Sequence, residues 1–350
     1  MSSDQPGRAA EPRGASVGRR RVAIRVVLAV ALSVALLTFV LPKVVGVPWA
    51  DVMSALARPT TSQVAWLTLL WAAGLCVHAR VLTAALPGLT VRRALTLNLT
   101  GSAIANVMPL GGGAGIGINY VMAKKWGFSR RQFSLFTGVV NAWHLGAKAL
   151  LPAAAVGLLV LNDQLPGRPL LAGAVGSGIV LVLVLIAAAA VVTRRGGRIA
   201  GAMVDWLLNL RRPATAPQTA LRLAALRLTT RELLRSAWRP MTWGVLGYNA
   251  LQLLLLWACL DVVGSPLPMV AVIAVFAVER AATTLPLTPG GSGVVEVAAV
   301  TVIVALGGAP AAAAAGILLY RAFVFGLEIP VGGTWLLGWW ITQRGSVAAA

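Results

Sequence analysis

Leu285-Pro286-Leu287-Thr288-Pro289-Gly290-Gly291-Ser292-Gly293 interrupts a long apolar run, and Met108-Pro109-Leu110-Gly111-Gly112-Gly113-Ala114-Gly115 interrupts another about half a chain earlier. Both place a Pro-Leu ahead of a Gly-Gly-x-Gly. Proline removes a backbone donor and glycine tolerates left-handed backbone, so each stretch breaks a helix. Breaks at matching places in two halves of a membrane chain mark a site built from discontinuous helices.

The surrounding composition makes this chain an integral membrane protein. Of its 350 residues, 58% are hydrophobic and only 11% are charged. Mean hydropathy is +0.82. Charge that sparse cannot cover a soluble domain, and several apolar runs reach the ~20 residues a spanning helix needs. They lack the alternation of a barrel strand, so the spans are helical.

The net charge of +20 does not point to nucleic acid. The basic residues sit in short segments between spans, where they set topology and meet anionic headgroups. Arg8, Arg13, Arg19, Arg20, Arg21 and Arg25 precede or open the first span, so the N-terminus is expected in the cytoplasm, as is the C-terminus after Arg344. Residues 1–21 read as a disordered basic tail.

Working outward gives six full spans, at 22–41, 63–86, 133–161, 170–193, 241–260 and 311–340, with a short interfacial helix over 51–57. The broken segments 94–123 and 269–306 are expected to enter and return as re-entrant hairpins. The first repeat covers 22–161 and the second 170–345, with a basic cytoplasmic loop at 194–239. In that loop Leu221 to Trp238 is expected to form an amphipathic helix on anionic inner-leaflet lipids. The first half runs up, down, hairpin, up, and the second runs down, up, hairpin, down. The expected architecture is therefore an all-α inverted repeat in the cytoplasmic membrane.

Few side chains suggest chemistry. Cys76 and Cys259 lie in apolar spans and read as small packing residues. His78 and His144 have no metal-ligand spacing, and no catalytic, metal or cofactor motif is present. The intramembrane charges are Lys148, Glu279, Arg280, Glu296, Arg321 and Glu328. Each should face the interior and find a partner. Arg280 and Arg321 suit a lipid phosphate, because a guanidinium binds it bidentately; structural ion pairs are the plain alternative. Glu279 and Arg280 are adjacent, so they are expected to point apart. Arg321 and Glu328, seven apart, are expected on one helix face. Glu296 opens the helix after Gly293 and reads either as a helix cap or as a substrate or proton group. Glycine-rich helix ends with exposed amides could hold an anion, or could serve tight helix packing.

The stretch Pro286-Leu-Thr-Pro289-Gly290-Gly291-Ser-Gly293-Val-Val-Glu296 resembles the Pro-x-x-Pro-Gly-Gly-x-Gly-x-x-Glu signature of the lysylphosphatidylglycerol synthase transmembrane-region family. That family includes the flippase half of the multiple peptide resistance factor and stand-alone relatives. Gly101 to Gly115, with Asn106 and Pro109, is similar to the family's Asn-x-x-x-Pro-Gly-rich element. The resemblance covers most of 20–345 and implies translocation of an anionic or phosphate-containing lipid between leaflets. Where many members carry an acidic residue and an arginine, this chain has Ala114 to Asn119, with Asn119 as a neutral substitute. The soluble aminoacyltransferase domain of the best-known members is absent from these residues.

The expected substrate contacts are Arg280, Arg321, Glu279, Glu296, Glu328, Gly290, Gly291, Gly293, Asn106, Pro109, Gly112, Gly113 and Asn119. The expected partner is a phospholipid or polyprenyl-phosphate-type amphiphile, with homo-oligomerisation left open. A secondary transporter for a small soluble solute stays as the alternative.

Overall fold

The computed structural model describes residues 27–28, 31–108, 111–162, 175, 217–284 and 288–348. Among these residues every regular element is helical. The helices are α1 (Ala31–Lys43), α2 (Trp49–Leu56), α3 (Thr61–Ala85), α4 (Val91–Val107), α5 (Gly111–Lys125) and α6 (Arg130–Leu161). They continue as α7 (Pro217–Val262), α8 (Met269–Ala282), α9 (Val294–Ala305), α10 (Pro310–Arg321) and α11 (Glu328–Ala348). Four stretches are long and apolar enough to cross a membrane: Thr61–Ala85, Arg130–Leu161, Arg235–Val262 and Pro310–Thr342. The protein is thus a polytopic helical membrane protein with several shorter apolar helices beside its spans.

The starts of the helices follow from local chemistry. Thr60 and Gln63 cap α3 reciprocally, and Ser129 and Gln132 do the same for α6. Each pair satisfies two backbone donors that a helix start leaves open. Pro310 opens α10 at a position where no donor is needed. Met108 ends α4 in extended backbone, as a residue before proline prefers.

Several expectations shift. The first break is confined to the junction after Val107, where Pro109 and Leu110 lie outside the described residues. Gly111 to Gly115 are helical, inside α5. Glycine is tolerated in a membrane helix because the backbone must bond to itself there. The helix expected over Leu221 to Trp238 does not end before the next span: one helix runs Pro217–Val262 with Pro240 inside it. The tail 1–21 and, apart from Val175, the span at 170–193 lie outside the described residues. The short helix expected at 51–57 is α2.

Packing follows the breaks. α3 lies along α7, α4 folds back on α5 and also packs on α11, and α8 contacts both α6 and α9. One buried cluster joins α3, α7, α8, α9 and α10 through residues such as Leu67, Leu256, Phe276, Ile303 and Tyr320. A second joins α3, α4, α5, α6 and α7 through Val81, Leu97, Met122, Phe136 and Met241.

Candidate functional site

The second break owes its shape to three glycines with left-handed backbone. Gly290, Gly291 and Gly293 have φ of 57°, 74° and 88°. A Cβ on Gly290 would lie 2.1 Å from the Phe325 ring, so side-chain-free backbone is required twice over. The turn Pro289–Gly291 packs against α4, and the two halves of the chain therefore meet at their breaks. Asn106, near the end of α4, donates from Nδ2 to the Phe325 carbonyl at 3.3 Å. Phe325 sits in a π-turn, Ala322–Gly326, that separates α10 from α11. The π-turn lies between Arg321 and Glu328, and both side chains are buried.

The intramembrane charges cluster around this junction. Glu279, Glu296, Arg321 and Glu328 are all buried. Arg321 donates from Nε to Glu296 at 2.9 Å and from Nη2 to the Gly290 carbonyl at 2.7 Å. Its Nη1 lies 4.0 Å from Glu279. Glu296 accepts the Gly293 amide at 2.6 Å, which gives it the cap geometry. That bond occupies the first free amide of α9.

Glu279 and Arg280 pair with each other, against expectation: Arg280 Nε contacts Glu279 Oε2, and Nη2 lies 3.0 Å from Oε1. The four-bond arginine stem bends back across its neighbour at the end of α8, and Tyr320 Oη accepts Nη2 at 2.8 Å to fix the bend. From there the polar chain continues through Gln252, 3.5 Å from Tyr320, to Tyr248, 3.0 Å further on.

Tyr248 leads to a part of the site that single-residue inspection of the sequence passed over. Its ring centroid is 4.9 Å from that of His78 and 6.0 Å from that of His144. The two histidines share a hydrogen bond of 3.0 Å between their Nε2 atoms. His78 borders a groove of about 220 Å³ among α3, α4, α5 and α6. Asn98, Gly101, Ser102 and Ala105 line it from α4, Gly112, Gly115, Ile116 and Asn119 from α5, and Thr137 and Asn141 from α6. Each set repeats at three- and four-residue steps, so each is one stripe of its helix. That spacing of small and polar residues inside apolar runs was the available signal.

The glycines divide by environment. A Cβ on Gly115 would lie 2.6 Å from the Gly101 carbonyl oxygen, and one on Gly111 would lie 2.4 Å from that of Ala105. These two let α4 and α5 touch. Gly112 and Gly113 face open space and are exposed, as is Asn141 on α6. His78 Nδ1 and Thr137 Oγ1 are buried without a hydrogen-bond partner. The α6 stripe runs on from Thr137 and Asn141 through His144 to Lys148. Lys148 Nζ donates to the neutral Thr283 hydroxyl at 3.1 Å, and among the described residues it forms no ion pair.

The structure thus brings Glu279, Arg280, Glu296, Arg321 and Gly290 into one network, with Gly291 and Gly293 in its turn. It brings Gly112 and Asn119 into the groove, and places Asn106 between the two. Glu328 is buried at the start of α11. Arg280 and Arg321 spend their described hydrogen bonds on protein acceptors.

A search of curated proteins finds no match to this chain. The family model of the lysylphosphatidylglycerol synthase TM region matches residues 26–332. That match takes in both breaks, the groove and the ion-pair network, and the chain belongs to this family.

Proposed function

We propose that the protein is a flippase-like transporter that moves an anionic, phosphate-containing amphiphile between the leaflets of the cytoplasmic membrane. The observation that carries this reading is the groove. It carries the polar side chains of Asn98, Ser102, Asn119, Thr137 and Asn141, its lining is exposed at Gly112 and Asn141, and the α6 stripe runs on past it to Lys148, which forms no ion pair among the described residues. A headgroup can enter such a groove from the side while its acyl chains stay in lipid. Lys148 then meets the phosphate, and Asn119, Asn141 and His78 meet the rest of the headgroup.

In this reading the second break is the moving part. Arg280 and Arg321 hold it through Glu279 and Glu296. Arg280 is the more open of the two, with 11% of its side chain exposed against 7%, so it is the first to exchange a glutamate for a substrate phosphate. Glu328 balances the excess positive charge near Asn106. The short helices α5, α8 and α9 hold 15, 14 and 12 residues. At 1.5 Å per residue they fall short of a ~30 Å hydrocarbon core, which supports re-entrant hairpins within six spans and an inverted repeat. The charge bias supports cytoplasmic termini, with the segment 194–239 lying on anionic inner-leaflet lipid. No catalytic step is assigned to the protein.

Translocation of fluorescent phosphatidylglycerol in proteoliposomes tests the proposal. The wild-type chain should move lipid faster than protein-free vesicles, and Asn141→Leu should slow it by blocking the lateral opening. Uptake of a soluble solute with no lipid movement would instead establish the secondary-transporter reading.

A further inference from the structure

A second cavity, of about 620 Å³, opens where the start of α4, the end of α5 and the second half of α11 come together. It shares no lining residue with the groove or the ion-pair network. At its closed end α4 and α11 touch: a Cβ on Gly332 would lie 2.1 Å from the Leu99 carbonyl oxygen. There Trp335 Nε1 donates to Thr96 Oγ1 at 3.0 Å. Toward the helix ends the space widens, and a Cβ on Gly338 would meet nothing within 4 Å.

Cations and indoles surround this space. The Arg93 guanidinium sits 5.3 Å from the Trp126 ring centroid, and the Lys125 ammonium 5.2 Å from that of Trp339. The lining contains no carboxylate, and among the described residues neither Arg92 nor Arg93 forms an ion pair. Both arginines stand in the first turn of α4, the positive end of a helix, where a cation is disfavoured. An anion between them relieves that repulsion.

The available donors narrow the ligand further. The hydroxyls of Thr96, Thr334 and Thr342 donate to helix carbonyls at 2.9, 2.9 and 2.8 Å. What remains is the guanidinium donors, the Thr90 hydroxyl and the indole N–H groups of Trp126 and Trp339, the last of which is buried without a partner. Such donors fit a phosphate oxygen and offer nothing to an ammonium group. Arg92, Trp335 and Gly338 are exposed, so the cavity is open along its outer side.

We infer that this cavity holds the phosphodiester headgroup of an anionic phospholipid from the leaflet at the basic end of the molecule, as a resident lipid and not as the transported one. Its acyl chains lie along the open side. By bridging Arg92 and Arg93 on α4 to Trp339 on α11, it ties the first half of the chain to the last helix. The site does not depend on the transport reading, because it rests on residues outside the groove.

Native mass spectrometry of the purified chain, supplied with phosphatidylglycerol or phosphatidylcholine, tests this. The wild type should retain phosphatidylglycerol preferentially. Arg92→Gln/Arg93→Gln should lower that retention about tenfold, the scale of a lost bidentate charge contact. Gly338→Phe, which fills the cavity and leaves every charge in place, should do the same. The charge-matched control Arg130→Gln/Arg235→Gln should retain the lipid, and Arg92→Lys/Arg93→Lys should keep part of it. Equal loss in the control would overturn the inference in favour of general surface attraction, as would unchanged retention in Gly338→Phe. Binding of inorganic phosphate with no retained phosphatidylglycerol would overturn the lipid source. Should the glutamine variant misfold, the glycine and lysine variants carry the test.

Discussion

Arg321 and Glu296 stand 25 positions apart in the chain and 2.9 Å apart in the fold, Nε to Oε1. The same carboxylate accepts the Gly293 amide through its other oxygen, and the same guanidinium reaches the Gly290 carbonyl. One ion pair therefore fixes both ends of the Gly290–Gly293 turn and fastens it to α10.

Breaking that pair on one side should be costly. Arg321→Met leaves a buried carboxylate beside Glu279 with no cation, and a loss of about 3–5 kcal/mol is expected. Glu296→Gln keeps an oxygen for the Gly293 amide and should lose less. Equilibrium unfolding in mixed micelles gives the comparison. If Arg321→Met unfolds with the wild type, the pair does not hold the break.

The glycines should separate into two classes. Gly290→Ala meets positive φ and the Phe325 ring, and Gly293→Ala meets positive φ and the Leu36 side chain at 2.5 Å. Both should lower the unfolding midpoint sharply. Gly112→Ala and Gly113→Ala lie in helix with open space ahead of the new methyl, so they should be neutral or gain up to ~1 kcal/mol. Any change in lipid movement for Gly112→Ala would then report on the groove and not on folding. Four equal midpoint shifts would contradict this division.

Asn106 offers a test of the link between the breaks. Its amide donates to the Phe325 carbonyl in the π-turn. Asn106→Ala should cost about 1 kcal/mol, the net worth of one hydrogen bond. Asn106→Asp replaces the donor with an acceptor near Glu328, so it should cost more. An aspartate variant as stable as wild type would mean that this contact is not formed.

The sequence made some of this legible and hid the rest for physical reasons. The second break could be read because Pro286, Pro289 and three glycines can barely form a helix, and the structure departs from helix there. The first break was overdrawn: one proline ends α4, while Gly111 to Gly115 keep helical hydrogen bonds because a membrane interior offers no other partner. Glu279 and Arg280 were expected to point apart because backbone directions set Cβ, but a long side chain can undo that separation. The His78–His144 contact spans 66 positions and follows from no local pattern. The groove was written in the spacing of Asn98, Asn119 and Asn141 with small residues, although only the folding of α4 on α5 brings the stripes together.

Lys148 supplies the sharpest test of function against structure. An ammonium within the hydrocarbon core costs at least ~2.5–3.5 kcal/mol unless a partner offsets it. Its described partner is the neutral hydroxyl of Thr283. If Lys148 only packs, Lys148→Met removes a burden: stability should hold or rise, and lipid translocation should be unchanged. If it receives the substrate phosphate, stability should still hold or rise while translocation falls at least about tenfold, the scale of a lost charge-assisted contact. Lys148→Arg keeps the charge and a phosphate-binding head, so it should retain much of the activity. Paired unfolding and translocation measurements on the three proteins decide between the two. Full translocation by Lys148→Met would remove this residue from the substrate path.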